Sequence, residues 1–228
     1  MTQITRETID KIHALLDQGL VQGLGQPVPG QMCVEAAINY ALGHPHGDDP
    51  GCVAPSLRRL KITLNDSNWS SNAARAEGMR RLAIAQLGSK DVLDEGLFAR
   101  KCALSVAHLW KIPDIVRHYL ETGDESIRLE ARLRADDAAA DAADAADAAY
   151  AYAAAAAYAA AAAAYAADAA YAYAAAAAYA AAAAAYAAAR ATARASYADA
   201  DSDKILSDFA ESIVQILIEM KAPGVRWL

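Results

Sequence analysis

The residues that make turns are missing from more than a third of this chain. No glycine or proline occurs between Gly123 and Pro223, so nothing in that stretch forces a kink or a reversal. Cysteine is also sparse. Cys33, Cys52 and Cys102 have neither a metal-binding nor a redox spacing, and an odd count of three argues against a disulfide framework. A reduced, cytoplasmic location is the expectation. There is no run of basic residues, and the net charge is −7, which makes nucleic acid and anionic membrane poor partners. The long uncharged stretch from Tyr150 to Ala189, broken only by Asp168, lacks the leucines, isoleucines and phenylalanines of a transmembrane span. The first residues, MTQITRETIDKIH, lack the apolar core of a secretory signal.

What fills that stretch is alanine and tyrosine. Tyr150 to Ala167 reads YAYAAAAAYAAAAAAYAA, and Tyr171 to Ala188 repeats it letter for letter, 21 residues later. Twenty-one residues are three heptads, the period of a helix that packs on helices. Alanine is the best helix former, so the sequence predicts one helix from about Asp124 to about Ala200, ~110 Å long at 1.5 Å per residue. With Tyr158 at heptad position a, Tyr165, Tyr179 and Tyr186 are also a. Tyr150 and Tyr171 fall at g, and Tyr152 and Tyr173 at b. Positions c and f carry only alanine within the repeat, which lets another backbone approach closely. Tyrosine rings with hydroxyls suit interfaces. Two bland alternatives are drift of a low-complexity segment and a silk-like β arrangement, and the latter lacks the usual glycine-rich companion.

The first 123 residues read as a helical head. Apolar residues at helical spacing mark Thr5–Leu20, with Ile9, Ile12, Leu16 and Leu20 on one face. Gln31–Leu42 follows, stopped by Gly43, with Cys33, Ala37 and Tyr40 on one side and Val34, Ile38 and Leu42 on the other. Pro55–Lys61 is short, and 62–69 is mostly irregular. Ser70 or Ser71 caps a helix to Leu87, Asp94 caps one to Trp110, and Pro113 opens another that ends before Gly123. No period-two strand pattern occurs, so the fold class is all-α.

Within the head, CVEAAINYALGHPHGDDPGCV (33–53) and LKITLNDSNWSSNAARAEGMRRLAIAQLGS (60–89) occur in succession. Together these motifs resemble a family of uncharacterised bacterial and phage-associated proteins. The resemblance covers about residues 30–90 and implies kinship without an activity. Relatives of this kind continue into ordinary helices, so the Ala/Tyr stalk is a departure from them.

Three head segments could carry chemistry. His44-x-His46-x-Asp48-Asp49 resembles the zinc-ligand loop of metallo-β-lactamase-like hydrolases, but aspartate replaces the last histidine and a helix precedes it where that fold has a strand. The alternative is a solvated turn. Gln31-Met32-Cys33 places a thiol at a helix start, as in papain-like enzymes, with no obvious histidine partner in His108 or His118. The alternative is a buried core cysteine. Trp69–Arg75, WSSNAAR, offers polar groups at a helix start to an anion, or is simply an N-cap with Trp69 packed as a staple.

The C-terminal stretch carries Leu206, Phe209, Ile213, Ile216 and Met220 at a/d spacing, then Pro223-Gly224 and an apolar tail with Trp227. At the end of a straight rod this helix would lie far from its own head, so another subunit is its expected partner. The organisation predicted is a head (1–123), an Ala/Tyr helical stalk (124–200) and an apolar assembly helix (201–228). The chain is expected to assemble with itself into a homo-oligomer, a filament or tube where contacts do not close, without a cofactor. The rival function is a cysteine- or metal-dependent hydrolase head on an oligomerising stalk, and a third is a surface-binding helix.

Overall fold

The computed structural model describes residues 4–109, 111–144 and 199–228. These contain eight α-helices and no strand; the one β-bridge pairs Gly25 with Met32. The helices are α1 (Arg6–Leu16), α2 (Val34–Leu42), α3 (Pro55–Asn65), α4 (Asn72–Ala85), α5 (Glu95–Ser105), α6 (Asp114–Thr122), α7 (Arg128–Asp144) and α8 (Asp199–Glu219), with 3-10 turns at Ala107–Leu109 and Pro223–Trp227. No helix among the described residues is long and apolar enough to cross a membrane.

Local chemistry sets the helix ends. The side chains of Thr5, Ser71 and Asp94 each accept from a backbone N–H of the first turn, at 3.2, 3.1 and 2.9 Å, which satisfies donors that a helix start leaves open. Gly43 and Gly123 close α2 and α6 in the left-handed conformation that glycine adopts without strain. α1 stops at Leu16, short of Leu20, and α3 runs on through Ile62–Asn65, which sequence marks as irregular. Leu64 extends the buried stripe of Leu57 and Leu60 and so holds that extra turn in place. Tyr40 is half exposed, at 50%, and does not line the core as its spacing suggests. The helix it belongs to is otherwise central: Val34 through Asn39 are all buried.

The largest correction concerns the C-terminus. α8 packs on α4, and to a smaller extent on α5, within the head itself. Leu206, Ile213, Val214 and Leu217 are fully buried there, Phe209 and Ile216 nearly so, and Met220 and Trp227 pack partly buried against the same cluster. Burying each such side chain contributes about 1.5–3 kcal/mol before entropy is counted, so α8 is one of the head's main sources of cohesion. Gly78 on α4 makes room for it: a Cβ there would lie 2.4 Å from the Trp69 ring and 2.7 Å from Ser207 Oγ. Behind α8, Gly224 lies against the last turn of α4, where a Cβ would meet Ile84 O at 2.3 Å. The guanidinium groups of Arg6 and Arg226 both lie over the Trp227 ring, 5.2 and 4.8 Å from its centre.

A very long helix is not shown. The longest described helix is α8, with 21 residues. α7 starts on the head, with Ala131 and Ala135 buried against α6, and α8 lies in the head's core. The single helix expected from about 124 to about 200 falls for the most part on residues 145–198, outside the described residues. The eight repeat tyrosines, Tyr150, Tyr152, Tyr158, Tyr165, Tyr171, Tyr173, Tyr179 and Tyr186, lie outside the described residues.

Candidate functional site

The most polar place in the head's interior lies within the two quoted motifs, 33–53 and 60–89, at residues that no candidate chemistry singled out. Glu35 on α2 and Lys61 on α3 are both wholly buried, with Lys61 Nζ 3.2 Å from Glu35 Oε1. The second carboxylate oxygen accepts from Gln86 Nε2 at 3.3 Å. Burial pushes the Glu35 carboxyl up and the Lys61 ammonium down, and each charge offsets part of the other's shift. Neither Glu35 Oε1 nor Lys61 Nζ gains a well-directed hydrogen bond. An ion pair of this kind costs much of its attraction in lost hydration. Its signal in the sequence is modest: Lys61 falls in the stripe of Leu57, Leu60 and Leu64, and Glu35 is flanked by Val34 and Ala36.

Beside this pair, Cys33, Glu35, Asp48, Asn65 and Asp66 line a small cleft of about 100 Å³. Ligand pockets usually run to roughly 300–1,000 Å³, so the cleft has space for a few waters and not for an organic substrate. Its walls are fastened to one another. Asn65 Oδ1 accepts from Val34 N–H at 3.2 Å, and Asp66 Oδ1 from Gly23 N–H at 2.8 Å. Arg75, buried on α4, donates to the carbonyls of Asn65 and Leu20 at 2.7 and 2.9 Å. These polar side chains hold the α1–α2 connection to the end of α3 and to α4.

Cys33 stands at the start of the helix, as the sequence suggests, but as the N-cap of α2 and not within its first turn, with its sulfur accepting from Ala36 N–H at 3.4 Å. That bond favours the thiolate, but burial outweighs it and pushes the thiol up. A nucleophilic cysteine needs the opposite shift. No imidazole bonds to it either: His44 Nδ1 lies 3.3 Å from Asn39 Oδ1, and His46 Nε2 3.2 Å from Gly25 O. Cys102 is wholly buried, and its thiol is pushed well up.

The loop 44–49 forms no metal centre. His44 and His46 have separate partners, while Asp48 and Asp49 flank Arg58 Nη1 at 3.6 and 3.3 Å. Asp49 also accepts from Gly51 N–H at 2.9 Å, closing a turn. Among the described residues no group of three or more His, Cys, Asp or Glu side chains could hold a metal ion. Of the two readings of this stretch, His44, His46 and Asp48 follow the turn, each drawn to a different neighbour.

The start of α4 does take an anion, and the chain supplies it. Asp203 of α8 accepts from Ser70 N–H at 2.9 Å and from the Ser70 hydroxyl, while Ser71 caps the helix and Trp69 Nε1 donates to Leu64 O at 2.9 Å. Two further pairs fasten α8, Arg81 with Glu211 and Lys101 with Glu219, the latter at 2.5 Å. Leu206, Phe209, Ile213, Ile216, Met220 and Trp227, expected as contacts between subunits, form a seat inside the head. The stripe is legible in the sequence, but a periodicity does not name the surface that covers it. No family model, curated protein or solved structure matches this chain, so the resemblance over residues 30–90 rests on its motifs alone.

Proposed function

We propose that this protein is a structural, self-associating protein whose helical head carries an Ala/Tyr segment, residues 145–198, as its association element. The observation that carries this reading is the eighteen-residue repeat with a 21-residue offset. It keeps the eight tyrosines at positions g, a and b and leaves c and f to alanine, a pattern suited to packing one helix against another. Two features of the described head are compatible with this assignment. The stripe of α8, the other apolar surface in the sequence, is occupied by α4 and α5. The cleft beside Cys33 has space for only a few waters, and burial pushes the Cys33 thiol up. Association falls to the repeat, and the product is a homo-oligomer. A filament or tube is its open form, reached where the contact does not close on itself.

Changing Tyr158, Tyr165, Tyr179 and Tyr186 to serine tests this directly. The molar mass from light scattering is expected to fall to that of one chain, while the helical circular-dichroism signal and the melting temperature of the head stay in place. An unchanged molar mass in this variant would make the tyrosines incidental.

A further inference from the structure

We infer that Lys61 and Gln86 become joined by an isopeptide bond inside the head, with Glu35 as the proton carrier. This goes beyond the association reading above and does not depend on it. Lys61 stands on α3, Gln86 caps the end of α4 and Glu35 stands on α2, and all three are wholly buried. One carboxylate touches both reactants. Lys61 Nζ lies 3.2 Å from Glu35 Oε1, and Gln86 Nε2 donates to Glu35 Oε2 at 3.3 Å. An amine and a carboxamide are thus held against the two oxygens of a single acid. Transamidation needs such an arrangement, with the partners fixed together and a proton carrier in reach of both nitrogens.

The reaction balances without an oxidant or a cofactor. The Lys61 nitrogen, as the free amine, attacks Cδ of Gln86. Glu35 takes the proton that this nitrogen sheds and passes one to Nε2, so its own charge is the same at the end. The Cδ–Nε2 bond breaks, ammonia leaves, and an amide between Cδ and Nζ remains. Burial favours the forms that react, since it pushes the Lys61 ammonium down toward the free amine and the Glu35 carboxyl up toward the acid. It also excludes the water that would compete for Cδ. The cleft that Glu35 lines, about 100 Å³, has space for a departing molecule as small as ammonia. The reactants also carry the unsatisfied atoms of this place: Lys61 Nζ and Gln86 Oε1 are buried without a hydrogen bond. An orphan amine in a dry interior is costly, and the bond turns it into a neutral amide. The product ties α3 to the end of α4 and restricts the unfolded chain as a disulfide does.

The intact mass of the full chain, with peptide mapping after proteolysis, tests this. The folded protein is expected to be lighter than its sequence by one ammonia and to yield a branched peptide that joins Lys61 to Gln86. A chain of full sequence mass, counted with or without Met1, overturns the bond. A loss of ammonia located at any other residue overturns it too. A loss of one water, with Lys61 joined to Glu35, overturns the assignment by making Glu35 the acyl donor. Lys61→Met is expected to restore the full mass, and a loss of ammonia that persists in it excludes Lys61. Glu35→Gln has nearly the same shape, and is expected to keep the helical circular-dichroism signal and to lose the branched peptide. Branching at the wild-type extent without that carboxylate overturns its role as carrier. If Glu35→Gln does not fold, Glu35→Asp, which draws the acid back by one methylene, is expected to leave a mixture of joined and unjoined chains; complete joining there overturns the same role.

Discussion

The two helices that border the Ala/Tyr segment meet the head in opposite ways. α7 touches it along one narrow line, with Ala131 and Ala135 buried against α6 while Leu129 and Leu133 stand 64% and 51% exposed. α8 has its leucine and isoleucine stripe buried almost entirely and three polar contacts along its length. The sequences already differ: α7 is rich in alanine and charge, whereas α8 carries a stripe of leucine, isoleucine and phenylalanine. The facing surfaces differ as well. α4 offers α8 a glycine at Gly78, an exposed arginine at Arg81 and a capped start at Ser70. α7 meets α6 with the alanines Ala131 and Ala135. One border of the segment is therefore anchored, and the other is laid against the surface.

Three substitutions test that contrast. Ile213→Ala removes a fully buried side chain from α8 and is expected to cost about 2–5 kcal/mol, read as a lower midpoint in urea. A loss no larger than that of an exposed site would mean that α8 is not part of the core. Asp203→Ala deletes the contact with Ser70 at the start of α4. Because this contact is solvent-exposed, about 1 kcal/mol is expected; a cost comparable to that of Ile213→Ala would make the fastener, and not the apolar seat, the main anchor. Leu129→Gln with Leu133→Gln keeps helix propensity and removes only exposed apolar surface. The midpoint should move by less than about 0.5 kcal/mol, and a large drop would show that α7's outer face is covered in solution.

Much of the head could be read from its residues. Thr5, Ser71 and Asp94 act as caps, and Gly43 and Gly123 as stops, because capping is settled within four or five residues. The solvated-turn reading of Asp49 holds for the same reason. Features that depend on distant pairing were not legible. Lys61 and Glu35 lie on different helices, and nothing in either helix announces the other. Asp203 fills the anion position at Ser70 across 133 residues. The stripe on α8 was plain, yet its placement beyond a long alanine run suggested a distant partner, and its seat is the groove between α4 and α5. Local rules thus located the elements, and surface complementarity, which no single stretch encodes, decided which elements meet.

The most direct test of the central claim is the molar mass of the full chain compared with that of a variant in which residues 145–198 are replaced by a flexible glycine–serine linker. The head already contains both borders of the segment, so the variant should melt cooperatively near the temperature of the full chain. The account predicts a multimer for the full chain and a folded monomer for the variant. A full chain that elutes and scatters as a monomer would contradict it, as would a variant that keeps the full chain's subunit number.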